Sequence, residues 1–213
     1  MTGTDLAGRI VRRAWLAGVE IDSTLAGALA EYLRLLFRWN RRMNLTGLGP
    51  DDRGLDRLVV EPLVAVQQWP LGVRSFVDIG SGGGSPAVPL KLARPRLTLR
   101  MVESGTRKAG FLREVVRQLG LKDVIVDGCR YEELLTRQEL LGTADVVTVR
   151  AVKIDGRALN GLQTLLKVGG ELFLFRRVRE DEAGNDVRRP LRMRGKYQLV
   201  ESLKSQLVVL EKT

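Results

Sequence analysis

From Ser75 onward, short β-type runs alternate with amphipathic stretches, and that alternation leaves few folds open. Ser75-Phe76-Val77-Asp78-Ile79 reads as a strand running straight into Gly80-Ser81-Gly82-Gly83-Gly84-Ser85. A helix over Pro86 to Ala93, a strand over Leu97 to Val102 and a helix over Lys108 to Leu119, stopped by Gly120, come next. Val124-Ile125-Val126 is a third strand, and Tyr131 to Leu141 contains a helix. Ala144 to Val149 is a fourth strand, Gly156 to Leu166 a helix and Gly170 to Phe175 a fifth strand. Helical crossovers return each strand to the same end of the sheet, so the strands run parallel with helices on both faces.

The flanks read differently. Leu6 to Leu16 is a short amphipathic helix, and Ser23 reads as the N-cap of a second with Leu25, Leu29, Tyr32, Leu33, Leu36 and Phe37 on one face. That helix is expected to end near Asn40, and a third, interrupted by Pro62, covers Leu55 to Gln68. The expected division is a helical extension over 1–72 and an α/β domain over 73–213. Residues 176–196 are rich in arginine and read as an irregular or hairpin-like insertion. Tyr197 to Leu203 and Gln206 to Leu210 are expected to close the sheet as an antiparallel pair, for seven strands in all.

The glycine loop defines the chemistry. Glycines let the backbone take positive φ and let a ligand touch the main chain. In doubly wound sheets ligands sit beyond the strands' carboxyl ends, with an acid about 20 residues further on holding ribose hydroxyls. Glu103 lies 21 residues after Gly82, directly after the second strand. Asp78, inside the first strand, would repel a pyrophosphate but attract an ammonium group. S-adenosylmethionine carries an ammonium and a sulfonium and no phosphate, so Asp-x-Gly-x-Gly-x-Gly favours it over a dinucleotide.

Composition narrows the field. The 213 residues hold 35 Lys+Arg against 25 Asp+Glu, a net charge of +10, with no histidine and one cysteine. Histidine-dependent nucleophile pairs and Cys/His zinc sites are therefore excluded, and a single cysteine makes no internal disulfide. The basic excess points to an anionic partner such as nucleic acid. With no run of apolar residues suited to a signal or membrane span, the expectation is a cytoplasmic protein off the membrane.

Five blocks together carry a resemblance. Asp-Ile-Gly-Ser-Gly-Gly-Gly-Ser-Pro-Ala-Val-Pro-Leu, from Asp78 to Leu90, resembles the first motif of the bacterial RsmG (GidB) methyltransferases, and the Pro86/Pro89 pair is its most diagnostic part. Trp39-Asn40-x-x-Met43-Asn44-Leu45-Thr46 resembles the family's N-terminal block. Arg107-Lys108-Ala109-Gly110-Phe111-Leu112 and Arg130-Tyr131-Glu132-Glu133, followed by Val149-Arg150-Ala151, agree in order. The resemblance implies a Rossmann-like class I methyltransferase fold and methylation of guanine nitrogen 7 in 16S ribosomal RNA. It implies S-adenosyl-L-methionine as cofactor, the small ribosomal subunit or its RNA as partner, no metal, and a monomer. The cofactor contacts it implies are Asp78, Gly80, Gly82, Ser85, Glu103, Tyr131, Glu132 and Arg150. Asn44, Thr46 and Arg150 would position the target base, with Arg38, Arg41 and Arg42 on RNA phosphates. The chain departs from the family at Ser85, where Phe or Leu is usual, at Ala87, Tyr131 and Val149, and around Glu61-Pro62, where His-x-x-Asp-Ser is usual.

Guanine nitrogen 7 has a free lone pair at neutral pH, so its attack on a methyl needs alignment rather than a base, and no classical catalytic residue is expected. Two alternatives stay open from sequence: a methyltransferase acting on a different substrate, and a non-catalytic basic RNA-binding module with a degenerate cofactor pocket.

Overall fold

A computed structural model describes residues 3–152, 154–178 and 189–213. Its centre is a seven-stranded sheet in the order β3-β2-β1-β4-β5-β7-β6. The strands are β1 (Ser75–Ile79), β2 (Thr98–Val102), β3 (Val124–Asp127), β4 (Ala144–Arg150), β5 (Leu166–Arg177), β6 (Leu191–Gln198) and β7 (Ser205–Lys212). β1 to β5 pair in parallel, and β7 runs antiparallel to both β5 and β6. The central strands are apolar nearly throughout because helices cover both faces; Leu172 to Phe175 of β5 are all buried.

The helices are α1 (Gly3–Leu16), α2 (Ser23–Met43), α3 (Asp52–Leu55), α4 (Glu61–Ala65), α5 (Ala87–Ala93), α6 (Thr106–Gln118), α7 (Tyr131–Leu134) and α8 (Gly156–Leu162). One apolar cluster joins α1 and α2 to the sheet: Ile10, Leu29, Leu33 and Leu36 share it with Phe76, Leu99, Phe111 and Phe173. Each such leucine contributes about 1.5–3 kcal/mol by leaving water. A second cluster, with Ile79, Leu134, Leu159 and Leu172, fills the other face. No described helix is long and apolar enough to cross a membrane.

Several boundaries differ from expectation, and three of them bear on the site and the sheet edge. The N-cap of α2 is Asp22, not Ser23, because its carboxylate accepts the Leu25 N–H at 2.7 Å. The helix runs past Asn40 to Met43 and stops at Asn44, which is left-handed at φ 50. β6 covers Leu191–Gln198 rather than Tyr197 to Leu203. Arg192, Arg194 and Lys196 alternate along this sheet-edge strand, so part of the expected insertion is a charged edge, which discourages pairing with other chains. Arg179 and Arg188 lie outside the described residues.

Between α3 and α4 the chain makes a π-turn over Asp56–Val60. There the Glu61 N–H reaches back to the Asp56 carbonyl, so the Arg57 carbonyl loses its usual donor. Pro62, which has no N–H, does the same to the Leu58 carbonyl. Both vacated carbonyls accept from side chains elsewhere, Leu58 from the Ser85 hydroxyl and Arg57 from the Arg150 guanidinium.

Candidate active site

The loop after β1 sits where the strand order reverses between β1 and β4, the crevice position of doubly wound sheets. The Gly80 and Ser81 N–H groups both donate to the Val102 carbonyl, at 2.9 and 3.0 Å, bending the loop over the end of β2. Gly80 has φ +71, and a Cβ there would meet Val152 Cγ2 at 2.5 Å, so only glycine fits. Gly84 has φ +91 and is hemmed in by Val88, Tyr32 and Leu112.

Glu103 is buried at the end of β2. One of its carboxylate oxygens accepts the Gly82 N–H at 2.9 Å and the other the Gly105 N–H at 2.8 Å. Each oxygen keeps acceptor capacity for a further donor such as a hydroxyl. Asp78 pairs in register with Thr148 of β4, whose hydroxyl donates to Asp78 Oδ1 at 2.6 Å. Asp78 Oδ2 is buried without a hydrogen-bond partner. Burial raises the Asp78 pKa from its ordinary value near 3.8 to about 6, against the pull of Thr148, Ser81 and Arg150. An orphaned acceptor beside acceptors with spare capacity fits a ligand that brings an ammonium and ribose hydroxyls.

Other expected residues are engaged within the protein. The Ser85 hydroxyl donates to the Leu58 carbonyl at 2.6 Å, replacing the donor that Pro62 lacks. Arg150 donates to the Arg57 carbonyl at 2.6 Å and to the Ser85 carbonyl at 2.8 Å, tying the π-turn to the glycine loop. The fully buried Glu61 lies 3.6 Å from Arg150 and accepts both contacts of Arg57, at 2.6 and 2.8 Å. Burial lowers the Arg150 pKa while the Glu61 carboxylate opposes the shift.

Tyr131 and Glu132 begin α7, whose start is fixed by the Glu133 carboxylate accepting the Arg130 N–H at 3.0 Å. Tyr131 is half-buried against the second apolar cluster, and Glu132 is exposed. Burial and the adjoining Glu132 carboxylate hold the Tyr131 phenol above its usual range.

The turn after α2 borders the same loop. A Cβ at Gly83 would meet Leu36 at 3.0 Å and the Leu45 carbonyl at 3.5 Å, and the Tyr32 hydroxyl donates to the Gly83 carbonyl at 2.8 Å. Asn40 shapes this turn by accepting the Thr46 N–H at 2.9 Å and donating to the Thr46 carbonyl at 2.8 Å. The Thr46 hydroxyl accepts from Leu48 N–H. Asn44 is exposed, and its carboxamide makes no hydrogen bond among the described residues. Arg38, Arg41 and Arg42 are exposed on the last turns of α2.

Asn40, Tyr32 and Glu61 were noted in the sequence but given no role at the site, and Thr148 and Arg57 were not noted at all. One signal for Glu61 was available: a carboxylate within the apolar run from Leu58 to Val66 must be paired if the run is buried.

The statistical model of the GidB family, described as rRNA small subunit methyltransferase G, matches residues 26–208. A Ribosomal RNA small subunit methyltransferase G of Xylella fastidiosa (strain 9a5c) is 39% identical over 155 residues, spanning 71% of this chain and 72% of that protein. Its counterpart in Stenotrophomonas maltophilia (strain K279a) is 38% identical over 163 residues, 74% of this chain and 68% of that one. Among solved structures, the mitomycin 7-O-methyltransferase MmcR superposes with a TM-score of 0.61 at 16% identity, over 100% of this chain and 69% of that one. TrmN from Thermus thermophilus gives 0.57 at 18% identity, over 84% and 53%; both likenesses concern the fold alone. The match from the first turn of α2 into β7, together with the identity to these relatives, makes this chain a member of the GidB family, the rRNA small subunit methyltransferases G.

Proposed function

We propose that the chain transfers the methyl group of S-adenosyl-L-methionine to nitrogen 7 of a guanine in small-subunit ribosomal RNA. The observation that carries this reading is the pair of acids around the glycine loop: Asp78 with a buried, unpartnered oxygen, and Glu103 with spare acceptor capacity. The bound cofactor supplies an electrophilic methyl on a positively charged sulfur. Asp78 attracts its ammonium group, Glu103 accepts from its ribose hydroxyls, and Gly80 and Gly82 let it lie against the main chain. Tyr131 and Glu132 border the adenosine side. Ser85 and Arg150 act by holding the loop against the π-turn, so that the backbone meets the cofactor in one geometry.

Guanine nitrogen 7 attacks with its own lone pair, so the protein's task is alignment and exclusion of water. Asn44 offers a free carboxamide at the rim of the loop, suited to the hydrogen-bonding edge of an unstacked guanine. Thr46 stands beside it, its backbone clamped by Asn40. Arg38, Arg41 and Arg42 hold phosphates and set the register of the strand.

The test is transfer of labelled methyl to small ribosomal subunits and to naked ribosomal RNA, followed by nucleoside analysis. Label in 7-methylguanosine is expected; label in any other nucleoside, or none on either substrate, overturns the assigned reaction.

A further inference from the structure

Two surface hollows flank the end of α2, and the same arginines wall both. One, of about 700 Å³, is lined by Phe37, Arg38, Arg41, Leu48 and Pro50 among others. The second, of about 750 Å³, is lined by Arg38, Trp39, Arg41, Arg42 and Met43. The helix explains the arrangement. Residues two apart point to nearly opposite sides, which puts Phe37 and Trp39 on either flank. Arg38, Arg41 and Arg42, three and four apart, stack into one ridge between them. Neither hollow has an acidic residue in its lining. Acids close by in the chain are engaged: Glu31 with Arg34, which also lines the first hollow, Asp51 with the Gly54 N–H, and Asp52 with Arg9.

We propose that this element is a saddle for a single-stranded stretch of RNA, with phosphates along the Arg38–Arg41–Arg42 ridge and one unstacked base in each hollow, against Phe37 and Trp39. The inference deepens the proposed function and rests on it: the strand would leave the saddle at the Asn44–Thr46 turn, whose Leu45 borders Gly83 of the glycine loop. A cationic ridge between two partly exposed aromatic side chains matches how single strands are held, the charge tracking the backbone and each ring stacking on a base. The shape argues for RNA over an acidic protein segment, which would need the arginines but not a ring on each side.

The test uses the full chain and a labelled single-stranded oligoribonucleotide of about ten nucleotides, with a matched oligonucleotide carrying abasic sugars at its centre. The wild type is expected to bind the intact strand about tenfold more tightly than the abasic one. F37L and W39L should each reduce that preference, while R38Q and R41Q should each lower the slope of log affinity against log salt by about 0.7. Because Trp39 packs on Phe111 at 5.8 Å, thermal melting and cofactor affinity are measured alongside, and both should stay near wild type for F37L. Equal wild-type affinity for intact and abasic strands overturns the saddle, and so does an unchanged salt slope in R38Q and R41Q. Methyl transfer to ribosomal RNA by a wild type that shows no preference for bases would overturn the saddle and leave the proposed function standing. A base preference without any methyl transfer would support the saddle and overturn the reaction.

Discussion

At Asp78 stability and binding pull in opposite directions. Burial raises its pKa to about 6, above the ordinary value near 3.8. Below the lower value the carboxyl is protonated in both folded and unfolded chains, and the associated stability is fully present. Between the two values the folded chain still holds a proton that the unfolded chain has released. As pH rises through 6 that stability is lost, and at neutral pH the fold carries a buried charge. Asp78→Asn should therefore gain stability over wild type as pH climbs from about 4 to 7, read by urea denaturation at several pH values. The same substitution should weaken S-adenosylmethionine binding about tenfold or more at neutral pH, since the ammonium loses a charged partner. Wild-type affinity, measured by calorimetry, should itself fall as pH drops through about 6. Asn44 gives a cleaner separation of target from cofactor. Glycine tolerates its left-handed backbone, so Asn44→Gly removes the carboxamide without straining the cap. KM for RNA is expected to rise with cofactor affinity and melting temperature nearly unchanged; an unaltered KM would remove Asn44 from the base-holding role.

At the scale of elements, the two departures around the glycine loop answer each other. Where the resembled family has a serine after its acid, this chain has Pro62 and leaves the Leu58 carbonyl without its donor; where the family has Phe or Leu, this chain has Ser85, whose hydroxyl supplies one. Ser85→Ala should leave the carbonyl of the buried Leu58 unsatisfied and cost about 1–3 kcal/mol. In a Pro62→Ala background, where an N–H is restored, the loss should be smaller by roughly 1 kcal/mol in a double-mutant cycle. Additive effects would show that Ser85 does not stand in for the missing donor. This coupling was not legible in the sequence, because proline and serine lie far apart along the chain and nothing local announces a π-turn. The strands were legible, since buried parallel strands write near-continuous apolar runs bounded by glycine and proline. β6 was misplaced because its Arg192, Arg194 and Lys196 read as loop charge, although their alternation is that of a strand with one exposed face. Glu103 and Asp78 were legible for a related reason: their positions follow from strand ends. Ser85 and Arg150 were singled out from the sequence for cofactor contact, but their bonds to the π-turn were not legible, since those partners come from the segment around Pro62.

For the molecule as a whole, the contacts of residues 1–72, the expected helical extension or subdomain, run through the centre of the α/β part. Leu29, Leu33 and Leu36 share one cluster with Phe76, Leu99 and Phe173. Tyr32 holds the Gly83 carbonyl, and the π-turn takes the hydroxyl of Ser85 and the guanidinium of Arg150. A chain beginning at residue 73 would expose that face of the sheet. It would also strip Arg150 of Glu61 and of the Arg57 carbonyl, leaving the guanidinium to water and the glycine loop without its tie to the π-turn. Against a total stability of about 5–15 kcal/mol, the loss of that shared core exceeds what a domain can absorb. The shortened chain should keep much of its far-ultraviolet circular dichroism, lose its near-ultraviolet signal, bind hydrophobic dye and melt without cooperativity. Supplying residues 1–72 as a separate polypeptide should restore a cooperative transition if the contacts rather than the connection matter. A cooperatively melting 73–213 chain that binds S-adenosylmethionine with wild-type affinity would mean that the helical part serves the RNA alone. The loop's geometry would then have to come from the sheet, without Tyr32, the π-turn or Glu61.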